Sequence, residues 1–176
     1  MNYGWGSPKG VGVLPKALGV CSVALRTGKP VVLDADALIV FEDIASLFYE
    51  IITAPCVMIS HDGEFAKVFP DLGDVDGGDK IVKVREAAKL SGAVILLKGA
   101  DTVVVALDGR AVANENVPTN LATGGIGDVL LELITGFLAQ GMVPFEADCA
   151  GAWLHGAAAS EFVSGLVAED LINASP

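Results

Sequence analysis

A layered α/β domain, a mainly parallel sheet flanked by helices with an antiparallel edge hairpin, is predicted by three features of the sequence. Short apolar runs at Val31-Val-Leu33, Cys56-Val-Met-Ile59 and Ala93-Val-Ile-Leu-Leu97 alternate with longer segments of helical character. That alternation favours parallel strands joined by crossover helices. Val103-Val-Val-Ala106 and Ala111-Val-Ala113 flank an Asp108-Gly109 pair, a strong hairpin signal. The composition is 52% hydrophobic but only 6% aromatic, with 21 glycines, so Val, Ala, Leu and Ile must fill the core. At 176 residues the chain is one domain's worth, and a single domain over 1–176 is expected.

Taken in order, Val11 to Arg26 reads as a helix closed by the Thr27-Gly28-Lys29-Pro30 turn. Val31–Leu33 is a buried strand ending in Asp34, and Ala37 to Phe48 is helical with Asp36 as its N-cap. The Cys56–Ile59 strand runs into a polar loop, Ser60-His-Asp-Gly-Glu64. After the polar Gly73–Asp79 loop comes a helix over Lys80 to Leu90, and the third strand ends at Lys98-Gly99. Beyond the hairpin, a glycine-led helix and a second helix from Phe145 to Val163 precede a short turn at Leu166 to Ile172.

The glycine-led segment is the most informative. In Leu121-Ala-Thr-Gly-Gly-Ile-Gly-Asp-Val-Leu130, a glycine-rich turn enters a helix whose Leu130, Leu133, Ile134, Phe137 and Leu138 recur on one face. Gly141 stops that helix. The N–H groups of Gly124, Gly125 and Gly127, with the helix dipole, form an anion cradle. Asp128 in the first turn would repel a phosphate, so it fits a base that takes a hydroxyl proton during phosphoryl transfer. The plainer reading is a helix cap.

In open parallel sheets, ligands sit beyond the carboxyl ends of the strands, and Asp34, His61 and Lys98 all lie at or just past such ends. Lys98 can reach phosphate oxygens, and Gly99 lets backbone approach; a snorkelling surface lysine is the alternative. Asp34 and Asp36 can ligate a cation or hydrogen-bond a sugar, or cap the next helix. His61, beside Asp62 and Glu64, suits a polar substrate or a structural role. His155, in an apolar helix beside Trp153, reads as a satisfied core or interface residue.

A formal net charge of −11 argues against nucleic acid as a partner. Cys21, Cys56 and Cys149 are widely spaced, which suits reduced thiols in a cytoplasmic protein. No basic segment precedes Leu18-Gly-Val-Cys21, no apolar run reaches membrane-spanning length, and metal-ligand spacing is absent.

Four motifs in order resemble the ATP- or ADP-dependent NAD(P)H-hydrate dehydratase family, which has a ribokinase-like fold. They are Val31-Val-Leu-Asp-Ala-Asp-Ala-Leu38, Ser60-His-Asp-Gly-Glu-Phe65, Leu97-Lys-Gly-Ala-Asp-Thr102 and Leu121 to Leu130; Gly165 to Ile172 resembles the family's ending. The resemblance implies repair chemistry: ATP or ADP, with Mg2+ accompanying the nucleotide, phosphorylates the hydroxyl of hydrated NADH or NADPH. Loss of phosphate then regenerates the cofactor. It implies Asp128 as the base, and Gly124, Gly125 and Gly127 on the transferring group. Lys98, Gly99, Ala100, Asp101 and Thr102 would line the nucleotide site, while Gly6 and His61 contact the hydrated cofactor.

The chain departs from the family in places. Members extend further at the N-terminus, so the N-terminal part of the fold is expected to be missing, which would favour a homo-oligomer. Ile59, Ser60 and Asp62 replace a threonine and two prolines around His61, Ile126 replaces a small polar residue, and Glu132 stands where glycine is usual. Two rival readings remain at this point: a small-molecule kinase of the same fold, and a nucleotide-binding relative without catalysis.

Overall fold

A computed structural model gives the fold and describes residues 14–73, 79–115 and 126–161. Helix α1 (Leu14–Leu25) leads to strand β1 (Val31–Asp34), short helix α2 (Ala35–Ile39), a 3₁₀ turn at Glu42–Ile44 and α3 (Ala45–Ile51). Then follow β2 (Cys56–His61), α4 (Asp62–Val68), α5 (Pro70–Gly73), α6 (Lys80–Ser91) and β3 (Val94–Lys98). Strands β4 (Thr102–Val105) and β5 (Ala111–Asn114) and helices α7 (Ile126–Ala139) and α8 (Pro144–Ser160) complete the described elements. The expected terminal turn at 166–172 lies outside the described residues.

The five strands form one sheet in the order β1-β2-β3-β4-β5. β1, β2 and β3 are parallel, whereas β4 and β5 fold back antiparallel as the predicted hairpin. Gly109 sits in its turn at φ +87°, a conformation that a side chain resists.

The central strands are apolar on both faces because both faces are covered. Side chains alternate across a strand. Met58, Ile95, Leu97, Val103 and Val105 therefore join a core with Phe41, Phe48, Phe65 and Val84 from the helices and turns between Leu25 and Ala88. Val57, Ile59, Val94, Leu96 and Val104 face the other way, onto Leu130, Ile134 and Leu138 of α7 and Ala147 and Ala152 of α8.

Helices α7 and α8 approach very closely. A Cβ added to Gly151 would lie 2.5 Å from Ile134 Cγ1, a contact that only displacement relieves. Gly151→Ala is accordingly expected to destabilise the fold by about 1–3 kcal/mol through overpacking. Urea unfolding reads this directly, and a variant as stable as the parent would show that the two helices separate freely.

Two local expectations are corrected. The segment expected as one helix from Ala37 to Phe48 is broken into α2, a 3₁₀ turn and α3. The rings of Phe41 and Phe48 stack at 4.0 Å; in an unbroken helix, seven residues would separate them by about 10 Å along the axis. The break brings both rings into the core. The N-cap position of α2 is Asp34 rather than Asp36, and the Asp34 side chain makes no capping bond.

Likewise, Ser60–Glu64 is not a loop: β2 continues to His61, and α4 starts at Asp62. His61 Nδ1 accepts from Gly63 N–H and Glu64 N–H, at 3.0 and 3.3 Å. Glu64 Oε2 in turn accepts from the His61 N–H at 2.9 Å. This is a capping box with histidine in place of the usual Ser or Thr.

Candidate functional site

The parallel strands deliver Asp34, His61 and Lys98 to one edge of the sheet, and His61 and Lys98 are register partners. Lys98 Nζ lies 3.4 Å from Asp34 Oδ1, with the two side chains 28% and 16% exposed. Freed from capping, the Asp34 carboxylate holds the lysine that ends β3.

Helix α7 starts against this pair. A Cβ built at Gly127 would lie 3.8 Å from Lys98 Nζ and 4.0 Å from Asp34 Oδ2. The N-terminus of a 14-residue helix, whose first N–H groups have no partner within the helix and which carries the positive dipole end, therefore lies beside a lysine and a carboxylate. The arrangement offers donors to an anion and an acceptor to a cation or hydroxyl. Asp128 follows in the first turn. Its side chain is exposed and forms no hydrogen bond or ion pair among the described residues, so it does not serve as a cap there. Glu132, one turn on, is exposed too.

The Lys98–Thr102 segment forms an adjoining wall. Gly99, Ala100 and Asp101 are exposed, while Thr102 is buried at the start of β4. Lys80, the first residue of α6, donates to the Asp101 carbonyl, and its Nζ stands 3.4 Å from Asp101 Oδ1. A side chain on Gly99 would press on that ammonium at 2.6 Å. Gly6, Gly124 and Gly125 lie outside the described residues.

His61 sits at the right edge of the sheet, but its ring is already engaged. With Nδ1 accepting two backbone N–H groups, the proton is on Nε2, which meets Glu64 Oε1 at 3.0 Å. Its side chain is 58% exposed, with both ring nitrogens already partnered.

Sequence reasoning missed the roles of Lys80 and Glu64. Lys80 carries no local signal, since its partner is 21 residues away. Glu64 had one: glutamate three residues after a polar residue at a strand end is the second half of a capping box.

His155 is buried, with Nε2 2.9 Å from the Ile126 carbonyl oxygen. Burial holds its imidazole below the usual value; the bond to Ile126 opposes this, and the Lys98 charge adds to it. All three cysteines are free, and burial pushes the Cys56 and Cys149 thiols up to about 12 and about 11.

A cleft of about 310 Å³ lies elsewhere, lined by Cys56, Val94, Arg110 and Phe145 among others. These residues mark where β2 and β3 begin, the pole opposite the ion pair, so the cleft is distinct from the site. Among the described residues no helix is long and apolar enough to cross a membrane.

The family model described as NAD(P)H-hydrate dehydratase matches residues 9–173. The chain belongs to the NAD(P)H-hydrate dehydratase family. It is 39% identical over 155 residues to the ADP-dependent (S)-NAD(P)H-hydrate dehydratase of Neisseria meningitidis, a match covering 85% of this chain and 52% of that one. It is 40% identical over 152 residues to a bifunctional NAD(P)H-hydrate repair enzyme of Thermosynechococcus vestitus, covering 86% of this chain and 29% of that one.

Among solved structures, the ADP/ATP-dependent NAD(P)H-hydrate dehydratase of Bacillus subtilis, co-crystallised with ATP/Mg2+, superposes with a TM-score of 0.75 at 30% identity. That match covers 87% of this chain and 55% of the other. A ribokinase-like protein of Enterococcus faecalis has the same fold, with a TM-score of 0.75 at 21% identity. The chain thus spans about half the length of its dehydratase relative from Neisseria, and its fold is ribokinase-like.

Within this dehydratase-family member, Lys98 and Gly127 are brought together with Asp34, whereas Asp101 and Gly99 pack on Lys80. His61 shares their sheet edge.

Proposed function

We propose that the chain carries the nucleotide-dependent dehydration of hydrated NADH or NADPH, using ATP or ADP as phosphoryl donor. The observation behind this reading is the meeting of the Asp34–Lys98 pair with Gly127 at the start of α7, immediately before exposed Asp128.

In this reading Lys98 and the N–H groups of the α7 turn, including those of Gly124, Gly125 and Gly127, hold the terminal phosphates. Gly99, Ala100, Asp101 and Thr102 border the nucleotide. Asp128 takes the proton of the cofactor's added hydroxyl as its oxygen bonds to phosphorus and the nucleotide leaves. The C–O bond then breaks, phosphate departs with that oxygen, and loss of a ring proton restores the double bond. Gly6 and His61 contact the hydrated cofactor.

The donor set fits a polyphosphate with its cation, because it presents a lysine, helix N–H groups and the Asp34 carboxylate together. Magnesium bound to the nucleotide would neutralise charge on the transferring group.

The reading further takes 1–176 as a single domain in a cytoplasmic homo-oligomer with neither nucleic acid nor membrane as partner. Free thiols, the charge of −11 and exposed Val20, Val23, Leu107 and Val143 support those parts.

Absorbance at 340 nm tests the reaction. Hydrated NADH mixed with the protein and ATP or ADP is expected to recover the NADH band, and only with nucleotide present. A folded, nucleotide-bound protein that yields no recovery would overturn the assignment.

A further inference from the structure

His155 lies on α8, 29 residues from the carbonyl it grips, and nothing in the chemistry above uses it. Its Nε2–H donates to Ile126 O at 2.9 Å. The carbonyl can only accept, so the proton belongs on Nε2. Both residues are buried, and the oxygen's second lone pair remains for the bond within the helix.

The Ile126 carbonyl and the Gly127 N–H are opposite ends of one planar peptide unit. Whatever fixes the oxygen therefore fixes the direction of the N–H, and accepting a hydrogen bond at the oxygen polarises that N–H. Gly127 N–H belongs to the first turn of α7, whose N–H groups have no partner within the helix. A Cβ built on Gly127 would lie within 4.0 Å of Lys98 Nζ and Asp34 Oδ2, so the Gly127 peptide borders that pair.

The α7–α8 packing places the imidazole there. Gly151 admits Ile134 in close contact. His155 stands one turn further along α8, and Ile126 stands nearer the start of α7, so the helices run in opposite senses past each other.

We infer that His155 is a positioning residue for the phosphate cradle: through the Ile126 carbonyl it aims and polarises the Gly127 N–H toward a bound phosphoryl group. The role rests on the nucleotide reading of this site, but the hydrogen bond behind it does not.

The test compares parent, His155→Phe and His155→Gln by backbone amide NMR and by titration with ATP and with adenosine. Loss of the donor in His155→Phe should move the Gly127 amide resonance and weaken ATP about five- to tenfold. Adenosine, which has no phosphate, should bind with parent affinity. Glutamine, whose side-chain N–H reaches toward the same carbonyl, should restore both signals.

Parent-like Gly127 resonance and ATP affinity in His155→Phe would overturn the inference and leave the proposed function standing. A parent chain that binds no ATP would overturn the proposed function and the positioning role that rests on it, whereas a parent that binds ATP beside a parent-like His155→Phe overturns the role alone. If His155→Phe does not fold, the parent and His155→Gln decide: a proton on Nε2 together with a Gly127 amide that shifts on addition of ATP but not adenosine sustains the inference, and the absence of either overturns it.

Discussion

Asp128→Asn is expected to lower nucleotide-dependent recovery of NADH by about 10²- to 10⁴-fold, the usual contribution of a positioned general base. Asparagine keeps the size of the side chain and a hydrogen-bonding oxygen, but it cannot take a proton. The loss should appear in kcat more than in KM, because the proton moves in the transition state and not on binding. Folding should be nearly untouched. Asp128 is exposed and makes no hydrogen bond or ion pair among the described residues, and such substitutions shift stability by about 0.5 kcal/mol or less. A variant that turns over at the parent rate removes Asp128 from the chemistry, whatever else at the site survives.

The second large effect concerns stability. Asp148 on α8 is fully buried, and neither carboxyl oxygen has a hydrogen-bond partner among the described residues. Burial drives its pKa well above the ordinary carboxylate value. The folded protein therefore keeps a proton that the unfolded chain releases above about pH 4. Stability is highest below that point and falls as pH rises, until the buried group itself ionises. Within that window each pH unit costs about 1.4 kcal/mol.

Asp148→Ala removes the group and is expected to stabilise the fold at pH 7 by at least about 1–3 kcal/mol, the cost of an unsatisfied buried polar group. The gain should shrink toward pH 4. Urea unfolding at several pH values checks both parts. A gain that is independent of pH, or that grows in acid, would show that the carboxyl finds a partner in solution.

The sheet was legible in the sequence because β2 and β3 are apolar on both faces, which leaves no period to misread. The hairpin was legible through Asp108-Gly109. Helix α4 was not, because its cap is a histidine and its start is polar. The break between α2 and α3 was hidden as well, since it follows from stacking Phe41 on Phe48 and not from any local breaker.

Within the site, strand ends singled out Asp34, His61 and Lys98, and the glycine turn singled out Gly127 and Asp128. What local sequence cannot carry is partnership over distance. Lys98 meets Asp34 across 64 residues, and His155 meets Ile126 across 29. His155 reads as a satisfied core or interface residue, and the structure buries it against the Ile126 carbonyl, a partner that local sequence could not name. Asp148 gave no warning at all. The buried face of α8 consists largely of Ala and Gly, and small residues leave no hydrophobic stripe to mark what lies inside.

The alternation of the strands also divides labour. Met58, Ile95, Leu97 and the stacked rings of Phe41 and Phe48 occupy one compartment, while Val57, Ile59, Leu96, α7 and α8 occupy the other. The sheet is a wall between two rooms, and the helix that bears Asp128 stands in the room without the stacked phenylalanines. A lineage can therefore repack the aromatic room, gaining or losing thermal endurance, while the reacting groups stay in register. Changes behind α7 have no such shelter, because there the packing and the chemistry share one helix.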